Sequence, residues 1–261
     1  MRVVIAGLCF LVLFLSPVHL MYGESDSQDT WKELNRTSDQ VLQLVKQEKL
    51  EEAKQLLDYF QTQFVKADYE DRKLSMTSLR TVTTSYERAN QAVTATNMGL
   101  DERIRHVTEF RLVVDAIVSE HHPLWLHSET SIMHALTRMK EAIQAEDHQG
   151  FQHRLNEFLN HYQMIRPSLT ITLEPAHLQQ VESQVSYMEN FRMERSADEV
   201  ENHLNLMEET FTALFAQVKE DSADPSLLWV MFTIGGMIIT SLSYAGWRKY
   251  KGEKSKVKVK E

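Results

Sequence analysis

LEEAKQLLDYFQTQF, residues 50–64, decides the fold class. Leu50, Ala53, Leu57, Phe60 and Phe64 recur at spacings of three and four, the period of one face of an amphipathic α-helix. Upstream, Leu34, Val41, Leu42 and Val45 form a second stripe, and Gln47 to Lys49 reads as a short turn between the two helices. Downstream the pattern returns three times: Phe151, Leu155, Phe158, Tyr162, Ile165; then Leu178, Val181, Val185, Met188; then Leu204, Met207, Phe211, Leu214, Val218. Start signals separate them. Ser196-Ala197-Asp198-Glu199 reads as a capping box, and Pro175 suits a first helical turn. Pro123 and Pro167 mark breaks. Between Glu24 and the C-terminal apolar run the only glycines are Gly99 and Gly150. That composition favours long helices over tight turns. The expected fold is all-α, as a helical bundle or a short helical-repeat domain.

The order of elements occurs twice. A shift of 101 residues carries Leu34, Val41 and Leu42 onto Ala135, Ala142 and Ile143, and Leu50, Leu57 and Phe64 onto Phe151, Phe158 and Ile165. It also carries Ser85-Tyr86 onto Ser186-Tyr187. A shift of 97 carries Asp101-Glu102 onto Asp198-Glu199 and His106 onto His203. Two duplicated four-helix units, 29–120 and 126–220, are expected, joined near His121-His122-Pro123. Their packing would leave a groove, a common place for binding.

The ends of the chain speak of a membrane. Ser226 to Trp247, SLLWVMFTIGGMIITSLSYAGW, holds no charged residue. At 1.5 Å per residue it can cross a hydrocarbon core roughly 30 Å thick. Trp229, Tyr244 and Trp247 lie near its ends, where amphipathic aromatics favour the interface. The tail, 248–261, carries seven basic residues against Glu253 and Glu261. Positive flanks stay in the cytoplasm, so the tail is expected inside and residues 24–224 outside. The tail's charge serves topology and also suits contact with anionic lipid. Residues 1–23 hold Arg2 and an apolar run from Val3 to Leu15, the form of a signal segment. Cleavage after Gly23 and retention as a signal anchor both remain open, because Met21 is large for a cleavage site. Gly235-Gly236, Thr240, Ser241 and Ala245 permit close helix packing, hence a homodimer through the transmembrane helix.

Charge and motifs narrow the function. Residues 24–224 contain 20 Lys plus Arg against 35 Asp plus Glu, a net charge of −15. That excludes a nucleic-acid footprint. Cys9 is the only cysteine and sits in the signal segment, so no disulfide forms within one chain. Histidines gather at His121, His122, His127 and His134, and again at His148, His153 and His161, without HExxH or zinc-finger spacing. They are read as solvated. Glu51-Glu52 and Glu208-Glu209 are read as solvated helix faces. No nucleophile elbow, phosphate-cradling loop or triad order is present. The expectation is no enzyme, no cofactor, no catalytic residue and no metal ligand. Two function classes stand. One is a membrane-tethered interaction or scaffold protein with a protein partner. The other is an extracytoplasmic sensor or binding module for a small ligand or cation.

The opening MRVVIAGLCFLVLFLSPVHLMYGESDSQDTWKELNRTSDQVLQLVKQEKLEEAKQLL and the closing LLWVMFTIGGMIITSLSYAGWRKYKGEKSKVKVKE resemble the YpjB family of sporulation proteins of endospore-forming bacilli. The resemblance covers the whole length and rests on overall pattern, since no catalytic motif defines that family. It implies a role connected with sporulation at a cell membrane. It implies no mechanism, ligand or site residue.

Overall fold

The computed structural model describes residues 25–70, 72–119, 122–190, 197–221 and 225–257. The expected signal segment, His121 and Ser196 of the expected capping box lie outside them. The described residues form nine α-helices and no strand: α1 Ser25–Lys46, α2 Leu50–Phe64, α3 Met76–Thr94, α4 Leu100–Val118, α5 Glu129–Gln144, α6 His148–Thr172, α7 Pro175–Glu189, α8 Ala197–Asp221 and α9 Pro225–Val257. A 3₁₀ turn, Leu124–Ser128, follows Pro123 and precedes α5. The chain divides into two compact units at Val114/Asp115, inside α4.

In the first unit, α1 and α2 form a hairpin whose inner faces are Trp31, Leu34, Val41, Val45, Ala53, Leu57 and Phe60, all buried. Phe60 is the centre. Its ring stacks on Phe64 at 5.8 Å and meets the edge of Phe110 of α4 at 4.8 Å and 80°. Such edge-on pairs add about 1 kcal/mol beyond the area they bury. The Trp31 Nε1–H, buried with its ring, donates to the Asp68 carbonyl at 3.1 Å. Ser75 caps α3 by accepting from the Ser78 N–H at 3.0 Å. The end of α3 is closed differently. Arg103 of α4, itself buried, donates to the carbonyls of Ala92, Val93, Ala95 and Met98. A cation at a helix C-terminus meets the negative end of the dipole, so this buried arginine needs no carboxylate.

In the second unit, Ile132, Leu136 and Met139 of α5 face Phe151, Leu155, Phe158 and Ile165 of α6, and Phe211 and Phe215 of α8 complete the core. Phe158 stacks on Tyr162 at 6.3 Å and meets the edge of Phe211 at 5.7 Å and 88°. Buried Asp115 accepts from the Leu124 N–H at 2.6 Å and the Ser119 hydroxyl at 3.0 Å, which ties the end of α4 to the 3₁₀ turn. Pro175 opens α7 as expected. Pro167 does not break a helix: α6 runs through it to Thr172. The N–H that proline lacks would have met the carbonyl of residue 163, and Gln163 is on the exposed side, where water can serve that carbonyl. Ser168 and Leu169, both fully buried, hold the segment beyond the proline on the core.

The two hairpin turns share their closing backbone bonds. Glu48 and Glu146 stand at φ 59° and 55°, in the left-handed region. Lys49 N–H donates to Leu44 O at 2.9 Å and Glu48 N–H to Val45 O at 3.0 Å; Asp147 N–H donates to Ala142 O at 2.9 Å and Glu146 N–H to Ile143 O at 3.0 Å. Both are Schellman motifs. They relate the hairpins by a shift of 98 residues, not 101. That shift carries buried Leu34, Ser38, Val41 and Val45 onto buried Ile132, Leu136, Met139 and Ile143, and Ala53, Leu57, Phe60 and Ala67 onto Phe151, Leu155, Phe158 and Ile165.

Candidate functional site

The surface feature that departs most from a water-soluble domain is α9. Within it, Trp229–Trp247 is long and apolar enough to cross a membrane, and none of it is buried. Trp229, Phe232, Met237, Ile239 and Leu242 are each at least two-thirds exposed. A polar group facing lipid must be satisfied within its own helix. Three hydroxyls of the run are: Thr233 donates to Val230 O at 3.0 Å, Ser241 to Met237 O at 2.8 Å, and Thr240 to Gly236 O. Thr240, one of the small or hydroxyl residues named for close packing, is thus already bonded one turn back along its own helix.

The histidines are dispersed. His122, His127, His134, His148 and His153 are exposed. No group of three His, Cys, Asp or Glu side chains among the described residues is placed to hold a metal ion. His106 and His203, paired by the sequence repeat, have different surroundings. His106 lies 4.0 Å from Glu102 of its own helix. The His203 ring reaches across to α7, where Nε2 donates to the Gln184 carbonyl at 3.0 Å and the ring lies 4.0 Å from that of Tyr187. Glu51, Glu52 and Glu209 are exposed, whereas Glu208 pairs with Lys140 across α5 and α8.

One groove went unread in the sequence. It lies between α1 and α2, holds about 470 Å³, and is lined by Lys32, Glu33, Arg36, Gln40 and Tyr59 among others. The Tyr59 hydroxyl donates to Glu33 Oε1 at 2.5 Å, and this bond raises the phenol's pKa. No sequence signal marks it, because it depends on which polar residues the two helices bring together.

Among the described residues the most perturbed group is Tyr162. Burial pushes its pKa up to about 12; the Glu182 carboxylate adds to the shift, and Arg166 opposes it. Arg166 itself is engaged with Glu182 at 2.6 Å. The Tyr162 hydroxyl is buried without a hydrogen-bond partner, as are Trp125 Nε1 and Ser168 Oγ. All three belong to the core beneath α6 and the 3₁₀ turn rather than to an open cleft.

The sequence of this helical chain with its apolar C-terminal helix matches the family described as Sporulation protein YpjB (SpoYpjB) over residues 31–259. It is 35% identical over 233 residues to a Bacillus subtilis (strain 168) protein named uncharacterized protein YpjB, covering 88% of each chain. No solved structure matches it. The chain belongs to the YpjB family of sporulation proteins.

Proposed function

We propose that this protein is a membrane-anchored interaction or scaffold protein acting in sporulation. The observation that carries the reading is α9: a helix whose apolar run is wholly exposed needs lipid or protein to cover it. Its length matches a bilayer core and three of its hydroxyls are bonded within the helix, which favours lipid. The anchor supplies location. The helical domain, at residues 24–224 on the outward side, supplies recognition of a protein partner, and the basic tail lies in the cytoplasm. The matching turns of the two hairpins, and the stacked and edge-on ring pairs made by Phe60 and by Phe158, support an ancestral duplication. On this reading the protein performs no covalent chemistry and uses no cofactor.

The test is genetic. Replacing Ser226–Trp247 with an unrelated span of equal length, tail retained, preserves sporulation efficiency. Secreting 24–224 as a soluble domain at equal protein level lowers it, because tethering raises the effective concentration near a membrane partner. Full function of the released domain contradicts the proposal. A second reading, an extracytoplasmic module for a small ligand, finds support in the groove at Lys32, Arg36 and Tyr59. A ligand that binds only the native state raises the melting temperature, and Arg36→Ala abolishes the rise if the groove is its site.

A further inference from the structure

The helix does not end where the apolar run ends. α9 continues to Val257, ten residues past Trp247. Those residues, RKYKGEKSKV, carry Arg248, Lys249, Lys251, Lys254 and Lys256 against Glu253 alone. A charged tail without structure could settle every lysine on the bilayer surface. A helix cannot, because its rise of about 1.5 Å per residue ties each residue to a depth. Trp247 and Tyr244, 59% and 60% exposed, carry the aromatic character that marks the edge of the hydrocarbon. The headgroup layer beyond that edge is about 5–8 Å deep. Arg248, Lys249 and Lys251 come roughly 1.5, 3 and 6 Å past Trp247 along the axis, within it. Lys254 and Lys256 come roughly 10 and 14 Å past, beyond it.

We propose that Arg248, Lys249 and Lys251 form a helical collar that binds the phosphates of anionic phospholipids in the leaflet facing the tail. The proposal rests on the anchoring reading and adds to it a ligand class and a position. Each basic residue in the headgroup layer strengthens attraction to an anionic surface by about fivefold, whereas those outside it act through salt solution and are screened within about 8 Å. The collar therefore selects the lipids around the span, with the first turn after Trp247 dominant.

The test uses the full chain with Trp229→Phe, reconstituted in equimolar phosphatidylcholine and phosphatidylglycerol, one of the two brominated on its acyl chains in each sample. Bromine quenches tryptophan only at short range. Trp31 and Trp125, buried in the helical domain, do not report. Trp247 does. Brominated phosphatidylglycerol is expected to quench Trp247 severalfold more than brominated phosphatidylcholine. Lys249→Gln with Lys251→Gln removes most of the preference, leaving only the part Arg248 supplies; Lys254→Gln with Lys256→Gln retains most of it. Equal quenching by the two lipids in the parent chain overturns the collar, as does equal loss in both double variants. Absence of quenching by either lipid overturns the anchoring reading together with it.

Discussion

Glu48 and Glu146 show how much a single backbone angle decides. Each sits with positive φ at the end of a helix, where a glycine is the common choice because it has no Cβ to clash with the following carbonyl. Both side chains are exposed, so nothing packed is lost by removing them. Glu48→Gly and Glu146→Gly are each expected to raise the stability of the helical domain by up to about 1 kcal/mol, read as a higher urea midpoint at unchanged slope. A lower midpoint in both would mean the turns are not left-handed. Gly150 has the opposite constraint. A Cβ there would fall 2.1 Å from the Asp147 carboxylate that caps α6 through the Gly150 N–H. Tyr162 carries a pH signature. Its pKa is about 12 in the folded protein against 10.0 for the ordinary phenol. A group held above its unfolded pKa contributes stability that is complete below pH 10 and is lost between pH 10 and 12. About 2 kcal/mol should vanish over that window. Tyr162→Phe should flatten it while costing little at neutral pH, since the hydroxyl has no partner to lose. An unchanged alkaline slope in Tyr162→Phe would place the titration elsewhere.

At the scale of the helix, burial of the inner faces is the energy that matters. Leu57→Ala is expected to cost about 2–5 kcal/mol, and Phe158→Ala and Phe211→Ala about 3–5 kcal/mol each, measured by chemical denaturation. Losses under roughly 1 kcal/mol at all three would mean these side chains do not form the core. The stripes themselves were legible in the sequence. Of the residues read for the hairpins, Leu34, Val41, Val45, Ala53, Leu57, Phe151, Phe158 and Ile165 are all buried, while Leu50 and Phe64, at the ends of their stripe, are half-buried. The shift that aligns the two hairpins was not legible. A stripe with neighbours at three and four residues matches itself after a slip of either, so 98 and 101 look alike to apolar spacing. Only the turn distinguishes them, and its signal is a backbone angle at two glutamates with no sequence mark. Pro167 misled for a related reason. Proline's local cost is about 3 kcal/mol in a helix interior, yet burial of Ile165, Ser168 and Leu169 on either side keeps α6 whole.

For the whole molecule, the sequence spoke most clearly at its C-terminal end and least clearly about surface sites. An uncharged run of 22 residues has few uses besides a membrane, and its helix is the one whose apolar residues the rest of the described chain leaves uncovered. The groove on α1 and α2 was illegible because it depends on which polar residues two helices bring together, a matter of rotation that composition does not record. The continuation of α9 through the basic tail was equally unreadable, since RKYKGEKSKV is as suitable for an extended tail as for a helix. The central claim is the membrane anchor with the helical domain outside and the tail inside. It is tested most directly by thiol labelling of intact cells with a membrane-impermeant maleimide, in a Cys9→Ser background. Ser183→Cys, at an exposed position on α7, should be labelled, and Ser255→Cys, in the tail, should be labelled only after the cells are permeabilised. Labelling of Ser255→Cys in intact cells, with Ser183→Cys protected, would contradict the account.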